Sequence, residues 1–248
     1  MSHRSWYEIR AKAADEAEIW IYEQIGHDFW GDGLSAAEFA KDLAALDVKH
    51  IALHINSPGG AAFDGQAIYT CLCNHPATII TYVDGLAASI ASVIALAGDT
   101  VVMAENALFM IHNPYGVATG DATVMRKMAE TLDKLSSTIS GVYEARTGRD
   151  PAEIIAAMAE ETWYTAVEAK AFGFANEIAG PLKAAACATF DFAALGFRRV
   201  PTTLATPQAP TSDPPDPAAE APPVPAAEAT PLPGRPLVPA HLYRKDQT

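Results

Sequence analysis

Asp84-Gly85-Leu86-Ala87-Ala88-Ser89-Ile90-Ala91-Ser92-Val93-Ile94-Ala95-Leu96-Ala97-Gly98-Asp99 is the stretch whose reading decides the fold class. Residues 78–83, just before it, are all β-branched or aromatic, and they read as a strand. Asp84-Gly85 then reads as a turn, and the small-residue, nearly chargeless run beyond it as a buried helix that stops at Gly98. Ser89 falls in the first turn of that helix. A serine reached from a strand through a glycine turn is one way in which hydrolases present a nucleophile. The helix start adds free amides and a positive dipole end, both suited to an oxyanion. The same run is also what close helix packing requires, with Ser89 only a small core residue. The stretch alone leaves both readings open.

Working outward, residues 18–25 read as a first strand, 26–33 as a loop, and Ser35 as the cap of a helix to about residue 46, with Glu38 completing a capping box. Residues 50–55 form a second strand, ended by Asn56-Ser57-Pro58-Gly59-Gly60; residues 64–73 form a helix with Ile68 and Leu72 on one face. Beyond the Ser89 helix come apolar strands at 100–104 and 108–111, the second ending at His112. A helix is expected over 121–147, where Val124, Met128, Leu132, Leu135, Ile139 and Val142 make a narrow seam. That seam either lies on its own core or projects to meet another subunit. Asp150, Pro151 and Glu153 start a further helix, 161–164 is a short extended piece, and Thr165 with Glu168 caps a last helix stopping at Gly173. Strands alternating with helices imply parallel pairing and an α/β class.

The ends differ from this middle. Residues 1–17 are polar and read as a flexible, frayed N-terminus, with 18–199 the globular domain. From residue 200 the composition changes: 13 of the 18 prolines lie between 201 and 239, among Ala, Thr and acidic residues. Such a segment buries too little apolar area to offset chain entropy, so 200–248 reads as a disordered, partly polyproline-like tail.

Bulk properties exclude several classes of function. The net charge of −13 argues against nucleic acid as a partner. Three cysteines (Cys71, Cys73, Cys187) without zinc-like spacing fit a reducing, cytoplasmic setting with no disulfide framework and no metal site. The N-terminus lacks an apolar signal region, and the longest nearly apolar run, residues 86–97, is far shorter than the roughly 20 residues that span a bilayer. A soluble protein is expected, with no membrane association.

A hydrolytic serine needs a base, a group to orient the base, and donors for the oxyanion. His112 stands at a strand end, where α/β sites gather. The Gly59-Gly60 pair, at another strand end, leaves backbone amides unobstructed and could complete an oxyanion hole with the amide of Ile90. Each is weak alone: a lone histidine is commonly a surface or core residue, and Pro-Gly is an ordinary turn. Three such features at strand ends of one α/β domain carry more.

Four pieces, in order and at matching spacing, resemble the proteolytic subunits of the Clp protease family of serine peptidases, and most closely its phage and prophage head maturation members. They are Ile55-Asn56-Ser57-Pro58-Gly59-Gly60; Asp84-Gly85-Leu86-Ala87-Ala88-Ser89-Ile90-Ala91-Ser92; Met110-Ile111-His112-Asn113-Pro114; and Glu161-Thr162-Trp163-Tyr164-Thr165-Ala166 with Glu168-Ala169 and Gly173. The likeness covers about 18–180. It implies the ClpP/crotonase fold, a spiral of β-β-α units with a protruding long helix. It also implies Ser89 as nucleophile, His112 as general base, and oxyanion donors at Gly59, Gly60 and Ile90. The third triad position departs from the family's usual Asp: here it is Glu161, one methylene longer, with Glu160 beside it as the fallback. No metal or cofactor is implied. The implied partners are other copies of the chain in a ring of heptameric type, protein or peptide substrates including capsid or scaffold chains, and an AAA+ unfoldase supplied separately, since the chain has no phosphate-binding loop.

A competing reading keeps the fold and loses the proteolysis: a ring-forming scaffold protein with an impaired triad, supported by the Asp-to-Glu change. A crotonase-type acyl-CoA enzyme would not require Ser89 and His112 together. Membrane-attached peptidases of related fold use a Ser–Lys dyad and a membrane segment.

Overall fold

The computed structural model describes residues 6–26, 35–180, 190–201 and 204. The expected tail, 200–248, lies outside the described residues except for 200, 201 and 204.

The strands are β1 (Tyr7–Ala13), β2 (Glu16–Ile21), β3 (His50–Ser57), β4 (Thr78–Ala88), β5 (Thr100–Ala104), β6 (Leu108–Ile111), β7 (Thr162–Thr165) and β8 (Glu177–Ala179). The helices are α1 (Ala36–Ala44), α2 (Ala62–Asn74), α3 (Ile90–Ala95), α4 (Ala122–Thr147), α5 (Pro151–Ala159) and α6 (Ala166–Phe172). The class is α/β, as the alternation of strands and helices requires. The sheet runs β1-β2-β3-β4-β5-β8, with β6 paired to β4 and to β7. β2 to β5 are mutually parallel, as is β8; β1–β2 and β6–β7 are antiparallel.

The strand that organises the sheet is β4. Its first half pairs with β5 through Ile80–Val83, and its second half with β6 through Leu86–Ala88. The expected turn at Asp84-Gly85 is therefore not a turn. The chain changes partner there and stays extended to Ala88, so the strand exceeds its expected length by five residues. Gly85 makes the change possible, because a Cβ at that position would lie 2.8 Å from the Asn56 Oδ1 of β3. α3 then begins at Ile90, and tight turns carry the chain on to Gly98.

Three other expectations change. Residues 7–13, read as part of a frayed end, form the edge strand β1, with Trp6 and Tyr7 packed on Phe39 of α1. β8, too short to carry a pattern, was not anticipated. Glu153 does not close a capping box. Asp150 caps α5 through the Ala152 amide, and Glu153 pairs with Arg149 instead. The capping boxes at Ser35/Glu38 and Thr165/Glu168 are present, and Gly173 ends α6 in the left-handed region.

The core is built from inward residues of β2–β6 and the helices that cover them, including Ile19, Leu53, Ile55, Ile68, Ile79, Val101 and Phe109, all fully buried. α4 joins it only by its C-terminal half. Leu135, Ile139, Tyr143 and Arg146 are buried, whereas residues 122–127 are all exposed, with Val124 and Met125 about half open. Of the expected seam, the first half stands clear of the body and the second half lies on it. Arg146 locks the base of the helix by donating to the Gly98 carbonyl at 3.1 Å and to Asn176 Oδ1 at 2.7 Å.

Candidate active site

Ser89 occupies the joint between β4 and α3. Its backbone is held at φ 55° and ψ −129°, a region costly for any side chain but glycine. The joint is held from both sides: the Ser89 amide donates to the Met110 carbonyl of β6 at 3.1 Å, and Ser92 Oγ donates to the Ser89 carbonyl at 2.5 Å. This strained elbow lifts the Ser89 hydroxyl off the sheet and toward the end of β6. There His112 follows Ile111, and its Nε2 lies 2.7 Å from Ser89 Oγ. The next residue, Asn113, is tied down by its amide to the Met158 carbonyl and by its side chain to Ser136.

The Gly59-Gly60 turn lies against this pair. A Cβ on Gly59 (φ +95°) would sit 2.7 Å from Ser89 Cβ, and one on Gly60 would overlap the Ile25 carbonyl. Only glycine lets the backbone come this close to the serine. The Gly59 amide donates to Ser57 Oγ at 3.2 Å, a long bond that an incoming oxyanion would have to compete with or share. The Ile90 amide is the first of α3, where intrahelical partners are lacking.

Glu161, the residue with the other positive non-glycine φ (51°), is buried beside the pair, but its carboxylate faces elsewhere. The Arg198 amide donates to both of its oxygens (3.0 and 2.9 Å), the Arg199 amide to Oε1 at 2.8 Å, and Trp163 Nε1 to Oε1 at 3.3 Å. Among the described residues, Ser89 is the hydrogen-bond partner of His112, and Glu161 acts on that ring through its charge. Glu160, the sequence fallback, caps the end of α5 with its side chain exposed and paired with Arg199.

Burial is the largest influence on His112 and pulls its pKa below the ordinary imidazole value. The Glu161 carboxylate opposes this, and the Arg198 guanidinium adds to it. A histidine held neutral next to a serine hydroxyl can accept its proton. A cleft of about 300 Å³ opens over the pair, lined by Ser89, His112, Gly59, Gly60, Leu195 and Phe197.

Sequence reasoning placed Ser89, His112, Glu161 and the glycine turn in one region, and the fold brings them together. It missed the strap of 190–201, which supplies Leu195, Phe197 and the two amides on Glu161. It also missed Ser92 and Tyr143 behind the elbow. The available signal was the density of aromatics at Phe190, Phe192 and Phe197 just before the proline-rich stretch. No group of three or more His, Cys, Asp or Glu among the described residues could hold a metal ion. None of the described helices is long and apolar enough to cross a membrane.

A mixed sheet with helices, a strained serine at a strand-to-helix joint and a histidine on its hydroxyl define an α/β protein with a hydrolase-like Ser–His pair. The chain belongs to the Clp protease family, whose model matches residues 1–181. It is 33% identical over 139 residues to ATP-dependent Clp protease proteolytic subunit 1 of Leifsonia xyli subsp. xyli, a match spanning 55% of this chain and 71% of that one. To ATP-dependent Clp protease proteolytic subunit 2 of Mycolicibacterium paratuberculosis it is 34% identical over 139 residues, spanning 55% of this chain and 70% of that one.

Proposed function

We propose that this protein is a serine endopeptidase in which Ser89 is the nucleophile, His112 the general base and Glu161 the acidic member. The observation that carries the reading is the 2.7 Å contact between His112 Nε2 and Ser89 Oγ at a strained elbow. As Ser89 Oγ attacks a peptide carbonyl, its proton passes to His112 Nε2. The carbonyl oxygen takes the negative charge and rests on the amides of Ile90 and of Gly59 or Gly60. Collapse expels the amine, which takes the proton from His112. Water, deprotonated by the same histidine, then releases the acyl group from Ser89.

The protease domain takes in β1 and all of β2 as well as residues 18–199, and 200–248 serves as an appended tail. The family's ring assembly and the free first half of α4 favour a homo-oligomeric ring acting on protein substrates. Head maturation in a phage or prophage, with capsid or scaffold chains as substrates, is the biological setting we favour over general protein turnover with an unfoldase. The deciding features are the motif likeness and the proline-rich tail. A second reading, an impaired ring-forming scaffold, draws on the Glu161 carboxylate being turned to the Arg198 and Arg199 amides rather than to His112.

A fluorophosphonate serine probe, read by intact mass, separates the two. The serine peptidase reading expects labelling of the parent chain that vanishes in Ser89→Ala and His112→Ala and falls in Glu161→Ala. An unlabelled assembled parent would leave the scaffold reading standing. The same masses show whether the tail is clipped.

A further inference from the structure

Residues 190–201 lie beyond the span matched by the family model, which ends at 181, yet they build one wall of the cleft. Independent contacts fix this strap. Phe192 is buried with Leu86, Ala88 and Met110, and Trp163 meets it edge-on at 5.8 Å. Tyr115 donates its hydroxyl proton to the Leu195 carbonyl at 2.5 Å, and the Phe197 amide closes a turn onto the Phe192 carbonyl at 3.0 Å. At the far end, the Arg198 and Arg199 amides hold the Glu161 carboxylate.

An imidazole that shuttles a proton must keep Nε2 aimed at the serine while its charge changes. In a triad of the usual kind, a carboxylate accepting from Nδ1 fixes the ring plane. Here that carboxylate is engaged by the strap's amides, so the ring needs another constraint. The strap supplies one. The Phe197 ring lies 5.5 Å from the His112 ring with an interplanar angle of 20°, a stacked pair, while Tyr115 closes the edge at 6.0 Å and 66°. Turning the imidazole out of its plane would drive its edge into the phenyl face.

We propose that Phe197 is a positioning residue of the active centre. Its ring holds His112 in the plane that presents Nε2 to Ser89, and the amides next to it hold Glu161 as a fixed charge nearby. The roles are thereby divided: a ring orients the base and a carboxylate stabilises its charged form. The inference rests on the reading of Ser89 and His112 given above. The charged groups acting on His112 are Glu161, from the turn just before β7, and Arg198, from the strap itself.

The test uses the full chain and its Phe197→Ala, Phe197→Leu and Phe197→Trp variants. Probe labelling of Ser89 is measured against pH, together with histidine NMR titration of His112, whose signal is identified by its loss in His112→Gln. Labelling of Phe197→Ala is expected to slow by about ten-fold or more, the effect of a modest loss of alignment. Its pH midpoint should rise, because water reaches the imidazole. Phe197→Trp should restore the rate, whereas Phe197→Leu, which fills the volume without a flat face and guards against a misfolded alanine variant, should stay slow. Wild-type rates in Phe197→Ala, or equal rates in the Leu and Trp variants, would overturn the proposal and leave the strap a mere cover. If the parent itself takes no label, the peptidase reading fails. The NMR titration still tests the ring contact on which the claim stands: an unchanged His112 midpoint in Phe197→Ala would overturn it.

Discussion

The hydroxyls of Tyr143 and Ser92 share a hydrogen bond of 2.7 Å, and Ser92 Oγ donates to the Ser89 carbonyl at 2.5 Å. Tyr143 is 1% exposed and belongs to α4, so the long helix reaches the backbone of the candidate nucleophile through two hydroxyls. Removing the phenol with Tyr143→Phe keeps the packing and leaves Ser92 short of a partner. The expected cost is about 1 kcal/mol of stability, with labelling of Ser89 slowed a few-fold as the elbow loosens. Urea denaturation and probe labelling check the two parts separately. Unchanged values in both would mean that the relay carries no load.

Charge around His112 sets the sign of its pH response. Burial and Arg198 lower its pKa and Glu161 raises it, so the neutral, base-competent form persists to lower pH than for a free imidazole. Glu161→Gln removes the raising charge, and the acidic limb of kcat/KM is expected to move to lower pH. Arg198→Ala removes a lowering charge and should move it to higher pH. The rate of Glu161→Gln should fall by about 10- to 100-fold, less than where an acid–histidine hydrogen bond is lost. Both limbs moving the same way would contradict this arrangement of charges.

Gly59 tolerates no side chain. A Cβ there meets Ser89 Cβ at 2.7 Å and the Ala88 carbonyl at 2.8 Å, on a backbone with φ +95°. Gly59→Ala is expected to cut labelling by about 100-fold or more through displacement of the serine, the scale of effect seen when oxyanion geometry is lost. The melting temperature should drop by a few degrees while the far-ultraviolet circular dichroism spectrum is retained. Normal labelling by a folded Gly59→Ala chain would place the turn outside the chemistry.

Arg146 is a structural cation: buried, with burial pulling its pKa below the ordinary guanidinium value, and bound to Gly98 and Asn176. Arg146→Ala strands a buried carbonyl and leaves a void at the foot of α4. About 2–4 kcal/mol of stability should be lost, which equilibrium denaturation would register.

The two halves of the site were legible to different degrees. Ser89, His112 and the Gly59-Gly60 turn could be read because each ends a strand, and strand ends of an α/β sheet converge whatever the details of packing. The boundary at Asp84-Gly85 was misread. A glycine in an extended run signals a turn as readily as a close approach by another side chain, and only the neighbouring strand, with Asn56 on it, decides which. β1 was hidden because an exposed edge strand shows little apolar periodicity; five of its seven residues carry exposed side chains.

By itself, then, the order of residues determined the α/β class, the helices with their caps at Ser35 and Thr165, and the serine and histidine that meet. All of these follow from local periodicity, turn chemistry and chain order. What only the tertiary structure decided is the environment of that pair. The Glu161 carboxylate turns to the Arg198 and Arg199 amides, Phe197 lies flat on His112, and Tyr143 supports the elbow through Ser92. These contacts join residues 37 to 85 positions apart in the chain. Where each side chain points was settled by how β4, β6 and the strap pack around one another, which no local pattern encodes.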